Sequence, residues 1–133
     1  MDEMILKKLR VKEEMRGLII NKPLGYPAVP FKLAKKGEMV NFLHIFITSE
    51  AEFKRRFKKA RTVVTKDCVL WISYPKSIGK QKFDINRDRL WDLAVDLGWH
   101  PVAQVALNDY WSAMRLKPNE PDVLYLRPGM KNK

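Results

Sequence analysis

Apolar residues fall in short runs separated by charged and turn-forming segments, and the spacing inside each run predicts an element. Residues 3 to 10 can set Met4, Ile5, Leu6 and Leu9 on one side of a short helix. Met15 to Asn21 (MRGLIIN) predicts a first strand. It stops at Asn21-Lys22-Pro23-Leu24-Gly25-Tyr26-Pro27, which holds too much Pro and Gly for either regular structure, and Pro30 extends the irregular stretch toward Phe31 to Lys36. Met39 to Ile47 is apolar on both pleat faces, with Val40, Phe42 and Phe46 on one and Leu43, Ile45 and Ile47 on the other. Such a run predicts an interior strand covered by helices.

Ser49 and Glu52 stand at the spacing of a capping box and predict a helix from there to about Val64. Phe53, Phe57, Ala60 and Val64 form its apolar stripe, and Lys54, Arg55, Arg56, Lys58, Lys59 and Arg61 cover the rest. Val69 to Tyr74 predicts the third strand. Asn86 is placed to cap a further helix with Ile85 and Leu90 as its staple, and Leu90, Leu93, Ala94 and Leu97 as its inner face. Gly98 supplies the left-handed stop, with Trp99 folding back on the last turn. Val102 to Leu107 and Trp111 to Leu116 flank the turn Asn108-Asp109-Tyr110 and predict an antiparallel pair. After Pro118 only Val123 to Leu126 is apolar enough to dock. Strands alternating with helices make an α/β protein with a mostly parallel sheet, one domain over residues 1–118 and a tail over 119–133.

Composition narrows the picture. A chain of 133 residues can bury a core without a metal or disulfide staple. The single Cys68 excludes an internal disulfide, no apolar run is long enough to cross a membrane, and no signal-peptide core opens the chain, so a cytoplasmic protein is expected. Twenty-six basic against fifteen acidic residues leave a net charge of +11, a field that favours polyanions and small anions without choosing among them. Oligomeric state is not legible.

The combination of NKPLGY, WISYPK, DINRD and NDYWSAMRLKP resembles a bacterial family of short Rossmann-like proteins, one with no established chemistry, over about Leu9 to Pro118. FKKARTVVTKDCVLWISYP and LGWHPVAQVALNDYWSAMRLKP are similar to the second half of class I methyltransferases, whose last two strands form an antiparallel pair. The resemblance implies a Rossmann-like three-layer sandwich. It also exposes two departures. Methyltransferases of this class hold S-adenosylmethionine with a Gly-rich turn after the first strand and a later acidic residue for the ribose. Here Asn21, Lys22, Pro23 and Leu24 follow Ile20 with Gly25 alone, and Glu38 is the only carboxylate between Gly25 and Met39. The strand that would present the acid is expected to be shortened away.

Ligands of open α/β sheets bind beyond the carboxyl ends of the parallel strands, which directs attention to Asn21, Lys22, Thr48, Ser49, Ser73, Tyr74 and Lys76. Lys76, Lys80, Lys82 and Arg87 add charge around the helix start at Asn86, where free N–H groups favour an anion. Asp109 and Trp111 close the set, Asp109 placed to accept from a Trp N–H or to pair with Arg87. Asp84, Asn86 and Asp88 serve equally well as plain helix caps. These residues predict a non-enzymatic module that takes a nucleotide or another phosphate-bearing ligand. Two alternatives stand beside it: a nucleic-acid surface on Lys54, Arg55, Lys58, Lys59 and Arg61, and a relic methyltransferase. His44 and His100 have no partners at metal-ligand spacing, Cys68 lacks a basic neighbour and Ser73 lacks G-x-S-x-G, so neither a metal, a cofactor nor a covalent step is implied.

Overall fold

The computed structural model describes residues 1–77 and 83–125. The elements in chain order are α1 (Ile5–Lys8), β1 (Arg16–Ile20), β2 (Lys32–Leu33), β3 (Val40–Phe46), α2 (Glu50–Ala60), β4 (Val64–Pro75), α3 (Arg87–Asp96), β5 (Trp99–Ala106) and β6 (Trp111–Pro118). Among the described residues the strands form one six-stranded sheet in the order β2-β1-β3-β4-β6-β5. The first four are parallel, and β6 is antiparallel to both β4 and β5. This is the expected α/β Rossmann-like sheet.

Its two faces are covered differently. On one, Phe53, Phe57, Leu90 and Leu93 of α2 and α3 pack on Leu43, Ile45, Leu70, Ile72 and Met114. Full burial of each such side chain contributes roughly 1.5–3 kcal/mol. On the other, Tyr26 and Phe31 of the irregular segment and Ile5 and Leu9 around α1 pack on Phe42, Phe46, Val69 and Trp71. The third layer is therefore one short helix and irregular chain. Leu9 of that layer is pinned to the sheet by Trp71, whose Nε1 donates to the Leu9 carbonyl at 2.9 Å. Trp71 belongs to the core.

Several expectations change. Val40 joins the α2 face with Leu43 rather than the Phe42 face, because the β3–β4 register shifts between Val40 and Phe42. That irregularity reverses the alternation at one residue. Helix α2 stops at Ala60, a 3-10 turn follows over Arg61–Val63, and Val64 already opens β4. Met4 is exposed rather than on the buried side of α1, and within the tail segment Val123 and Leu124 lie exposed while Tyr125 stacks on His100 with ring centroids 4.0 Å apart. Leu126 lies outside the described residues. The segment before Met39 keeps a two-residue strand, β2, parallel to β1, where none was expected.

Helix starts and stops follow the predicted chemistry. Ser49 Oγ accepts from Glu52 N at 3.1 Å, while Glu52 Oε1 reaches back to Thr48 N at 2.8 Å. Asn86 Oδ1 accepts from Arg89 N at 2.9 Å, and Ile85 and Leu90 are fully buried together. Gly98 has φ +93 at the end of α3, whereas Trp99, expected to fold back on that helix's last turn, already opens β5 and turns its ring edge-on to Phe57 of α2.

Candidate binding site

At the carboxyl ends of β1 and β3 the structure is closed. Asn21 adopts φ +59, and its Nδ2 donates to the Phe46 carbonyl at 3.2 Å, tying the two strand ends together. Tyr26 then lays its ring over β3, with its hydroxyl 2.9 Å from His44 Nδ1. His44 Nε2 lies 2.6 Å from Ser73 Oγ. Burial pushes the His44 pKa down to about 3, so the ring is neutral. A neutral imidazole carries one donor and one acceptor, which suits a hydroxyl at each nitrogen. Ser73, expected at the ligand edge, is fully buried with its hydroxyl engaged by His44. Strand alternation turns it to the face that the Tyr26 segment covers. Thr48 and Ser49 are likewise occupied in capping α2.

The end of β4 is more open. Tyr74, Lys76, Asn86 and Arg87 surround a shallow hollow of about 330 Å³, so four of the expected residues do converge. Each has a local partner. Lys76 Nζ donates to the Asn108 carbonyl, Asn86 caps α3, and Arg87 Nη2 pairs with Asp88 at 3.1 Å rather than with Asp109. Tyr74 is buried to 3% exposure and its hydroxyl accepts from Gln104 Nε2. Burial raises its pKa. Asp109 is exposed in the β5–β6 turn, and Trp111 packs on the opposite face, edge-on to Phe46 at 5.0 Å. Lys80 and Lys82 lie outside the described residues.

The basic set on α2 divides in the same way. Lys54 pairs with Glu50 at 3.2 Å, and Arg61 turns inward, its Nη1 donating to the Leu97 carbonyl at the end of α3. Lys58 is exposed. Arg55 and Lys59 flank something the sequence reading missed.

Between β1, the loop after β2 and the side of α2 lies a cleft of about 530 Å³. Leu18, Ile20, Ala34, Ala60 and Val63 supply apolar surface, and Lys35, Lys36, Arg55, Arg56 and Lys59 bring five cations to it. The one carboxylate among its lining residues, Glu38, is held by Arg16 at 3.0 Å and by the Lys35 N–H. Arg56 pairs with Glu52 at 3.8 Å, yet its Nε is buried without a hydrogen-bond partner among the described residues. Small-molecule sites commonly span about 300–1,000 Å³ and join apolar walls to a few polar groups. The cleft meets both criteria. Its cause is topological: α2 and α3 cover β3, β4 and β6, whereas no helix lies between β1 and β3 in sequence to cover this face of β1. The missing helix between Asn21 and Met39 was the available signal.

Burial pushes the Cys68 thiol up to about 12, which leaves it a poor nucleophile. Among the described residues no group of three His, Cys, Asp or Glu is placed to hold a metal ion. No described helix is long and apolar enough to cross a membrane.

No protein-family model matches the chain, and no curated protein matches it by sequence. Solved structures do. A LepI variant in complex with SAH and a substrate analogue superposes with a TM-score of 0.54 at 10% identity, covering 86% of this chain and 39% of that one. The LepI complex with SAM gives the same values. A DhpI–SAH complex reaches 0.46 at 9% identity over 68% of this chain and 56% of that one. The fold is methyltransferase-like. The chain spans well under half the length of LepI, and the residues at the carboxyl edge do not fit the mode of holding S-adenosylmethionine described above. Asn21 bonds Phe46 where a Gly-rich turn belongs, and Glu38 pairs with Arg16 at the amino end of β1, away from that edge.

Proposed function

We propose that this protein is a non-enzymatic binding module for a small anionic ligand with an apolar body, such as an acyl or aromatic carboxylate or phosphate, held in the cleft between β1 and α2. The observation that supports this reading is the junction of an apolar wall with five cations, one of them with an unfilled buried donor. The ligand's apolar part would cover Leu18 and Ile20 while its acid group meets Arg55, Arg56 and Lys59. The hollow at Tyr74, Lys76, Asn86 and Arg87 is another address for an anion, and a variant separates it from the cleft.

A thermal-shift panel of anionic amphiphiles, their neutral alcohol analogues and nucleotides tests the proposal. A ligand at about 100 times its Kd stabilises the fold by about 2.7 kcal/mol. The expected result is a higher Tm with the anionic amphiphiles but not with their neutral alcohols, lost in Arg55→Glu with Lys59→Glu and kept in Arg87→Met. No shift with any anion overturns it.

The likeness to LepI, solved with SAM and SAH, favours a second reading, a relic methyltransferase that still binds S-adenosylmethionine. S-adenosylmethionine in the same panel decides it. A shift that survives the Arg55 and Lys59 double variant supports this reading, and no shift ends it.

A further inference from the structure

On the sheet face opposite the cleft, a hollow of about 360 Å³ lies between the end of α1 and the sheet. Lys7, Arg10, Lys12 and Arg115 line it together with apolar Val11 and Val69, and among the described residues no carboxylate does. Four like charges around one concavity repel each other and gain from an anion between them.

Two of the four are held in place by the fold. Arg115 stands on β6 directly across from Trp71 of β4. It is half-buried, and its Nε is enclosed without a hydrogen-bond partner among the described residues. A buried guanidinium donor left unfilled is costly, which makes it the strongest single pointer to a missing acceptor. Burial, and then the positive charge of Arg10, lower the Arg115 pKa from its ordinary value, in keeping with two guanidinium groups set close together. Arg10 follows the α1 turn in a left-handed conformation, φ +62, next to Leu9, whose carbonyl is bonded by Trp71. The indole that anchors α1 thus also sets Arg10 beside Arg115.

Planar guanidinium forks match the oxygens of a phosphoryl group, two bonds to each fork, and a dianion answers four cations better than a single carboxylate does. We propose that Arg10 and Arg115 form a binding site for a phosphate monoester, separate from the cleft and independent of what the cleft holds.

The test is an NMR titration of the full chain that follows arginine Nε–H resonances with inorganic phosphate, AMP and adenosine. Phosphate and AMP should move the Arg115 Nε–H, and adenosine, which lacks the phosphoryl group, should not. Movement with phosphate and AMP alike identifies the phosphoryl group itself as the ligand. Movement with AMP only, and not with adenosine, identifies a nucleotide. Affinity should fall by about tenfold or more in Arg115→Met and in Arg10→Met, and stay unchanged in the cleft variant Arg55→Met. Arg10 is exposed, so Arg10→Met keeps the test valid if Arg115→Met fails to fold. An Arg115 resonance that stays still with both phosphate and AMP, or full affinity in Arg10→Met, overturns the proposal.

Discussion

The two faces of β1 have opposite fates. On one, Gly17 admits the ring of Phe31 so closely that a Cβ would stand 2.4 Å from it, and Tyr26, His44 and Ser73 form a closed hydrogen-bonded chain nearby. On the other, Leu18 and Ile20 are left only partly covered, and cations from two elements gather around them. The same five residues build both. What differs is the connection above each face: the chain from Asn21 to Phe31 folds down as a plug, while the short return from β2 to β3 contains no helix. A Rossmann-like sheet that closes its customary edge has opened a different surface.

Acidification should strike the sealed face hardest. His44 stays neutral in the folded protein down to about pH 3, whereas the unfolded chain protonates it below about 6.5. Between these values the unfolded state binds the extra proton, so stability falls as pH drops through that window, by up to about 5 kcal/mol. Glu50, held down to about 2 first by the hydrogen bond from Arg89, is shifted in the same direction but in a lower pH window. Its contribution is complete above its ordinary value of 4.5 and is lost only as pH falls from there toward 2. Urea denaturation between pH 6.5 and 4.5 therefore reads His44 without Glu50. A flat profile there would contradict a sealed, neutral imidazole.

A smaller loss is expected from Gly17→Ala. The added methyl meets Phe31 and overpacks the plug, which costs about 1–3 kcal/mol. Equilibrium unfolding measures it, and Phe31→Leu in the same chain should recover part of the loss. An unchanged midpoint in the single variant would mean that the plug is loose and the two faces are alike.

The open face should tolerate change. Arg55→Glu with Lys59→Glu replaces exposed side chains that make no ion pair among the described residues, so stability should move by about 0.5 kcal/mol or less. A destabilisation as large as that of Gly17→Ala would mark these cations as structural and weaken the cleft as a binding site.

Much of the fold was legible because local chemistry and burial agreed. The run from Met39 to Ile47 read as an interior strand and is one, and Ser49, Asn86 and Gly98 marked helix ends that the structure confirms. Where local patterning stood alone it misled. Val64 continued the α2 stripe by spacing yet belongs to β4, since a stripe does not record where a helix gives way to a strand. The candidate site was half legible. Tyr74, Lys76, Asn86 and Arg87 do meet, as adjacency at one strand end and the next helix start requires. Ser73 does not, because whether an alternating strand position is open depends on what covers that face. Cations on α2 were visible in the sequence, but which of them face β1 was not.

The chain's own order of apolar runs, caps and turns determined an α/β protein with a parallel sheet and an antiparallel close, because each of these follows from neighbours within a few residues. It also determined a strong positive field. Only the tertiary structure decided which surfaces are filled. The plug over His44, the cleft beside Leu18 and Ile20, and the meeting of Arg10 with Arg115 each join segments far apart in the chain. Their positions depend on long-range packing, to which local spacing is blind.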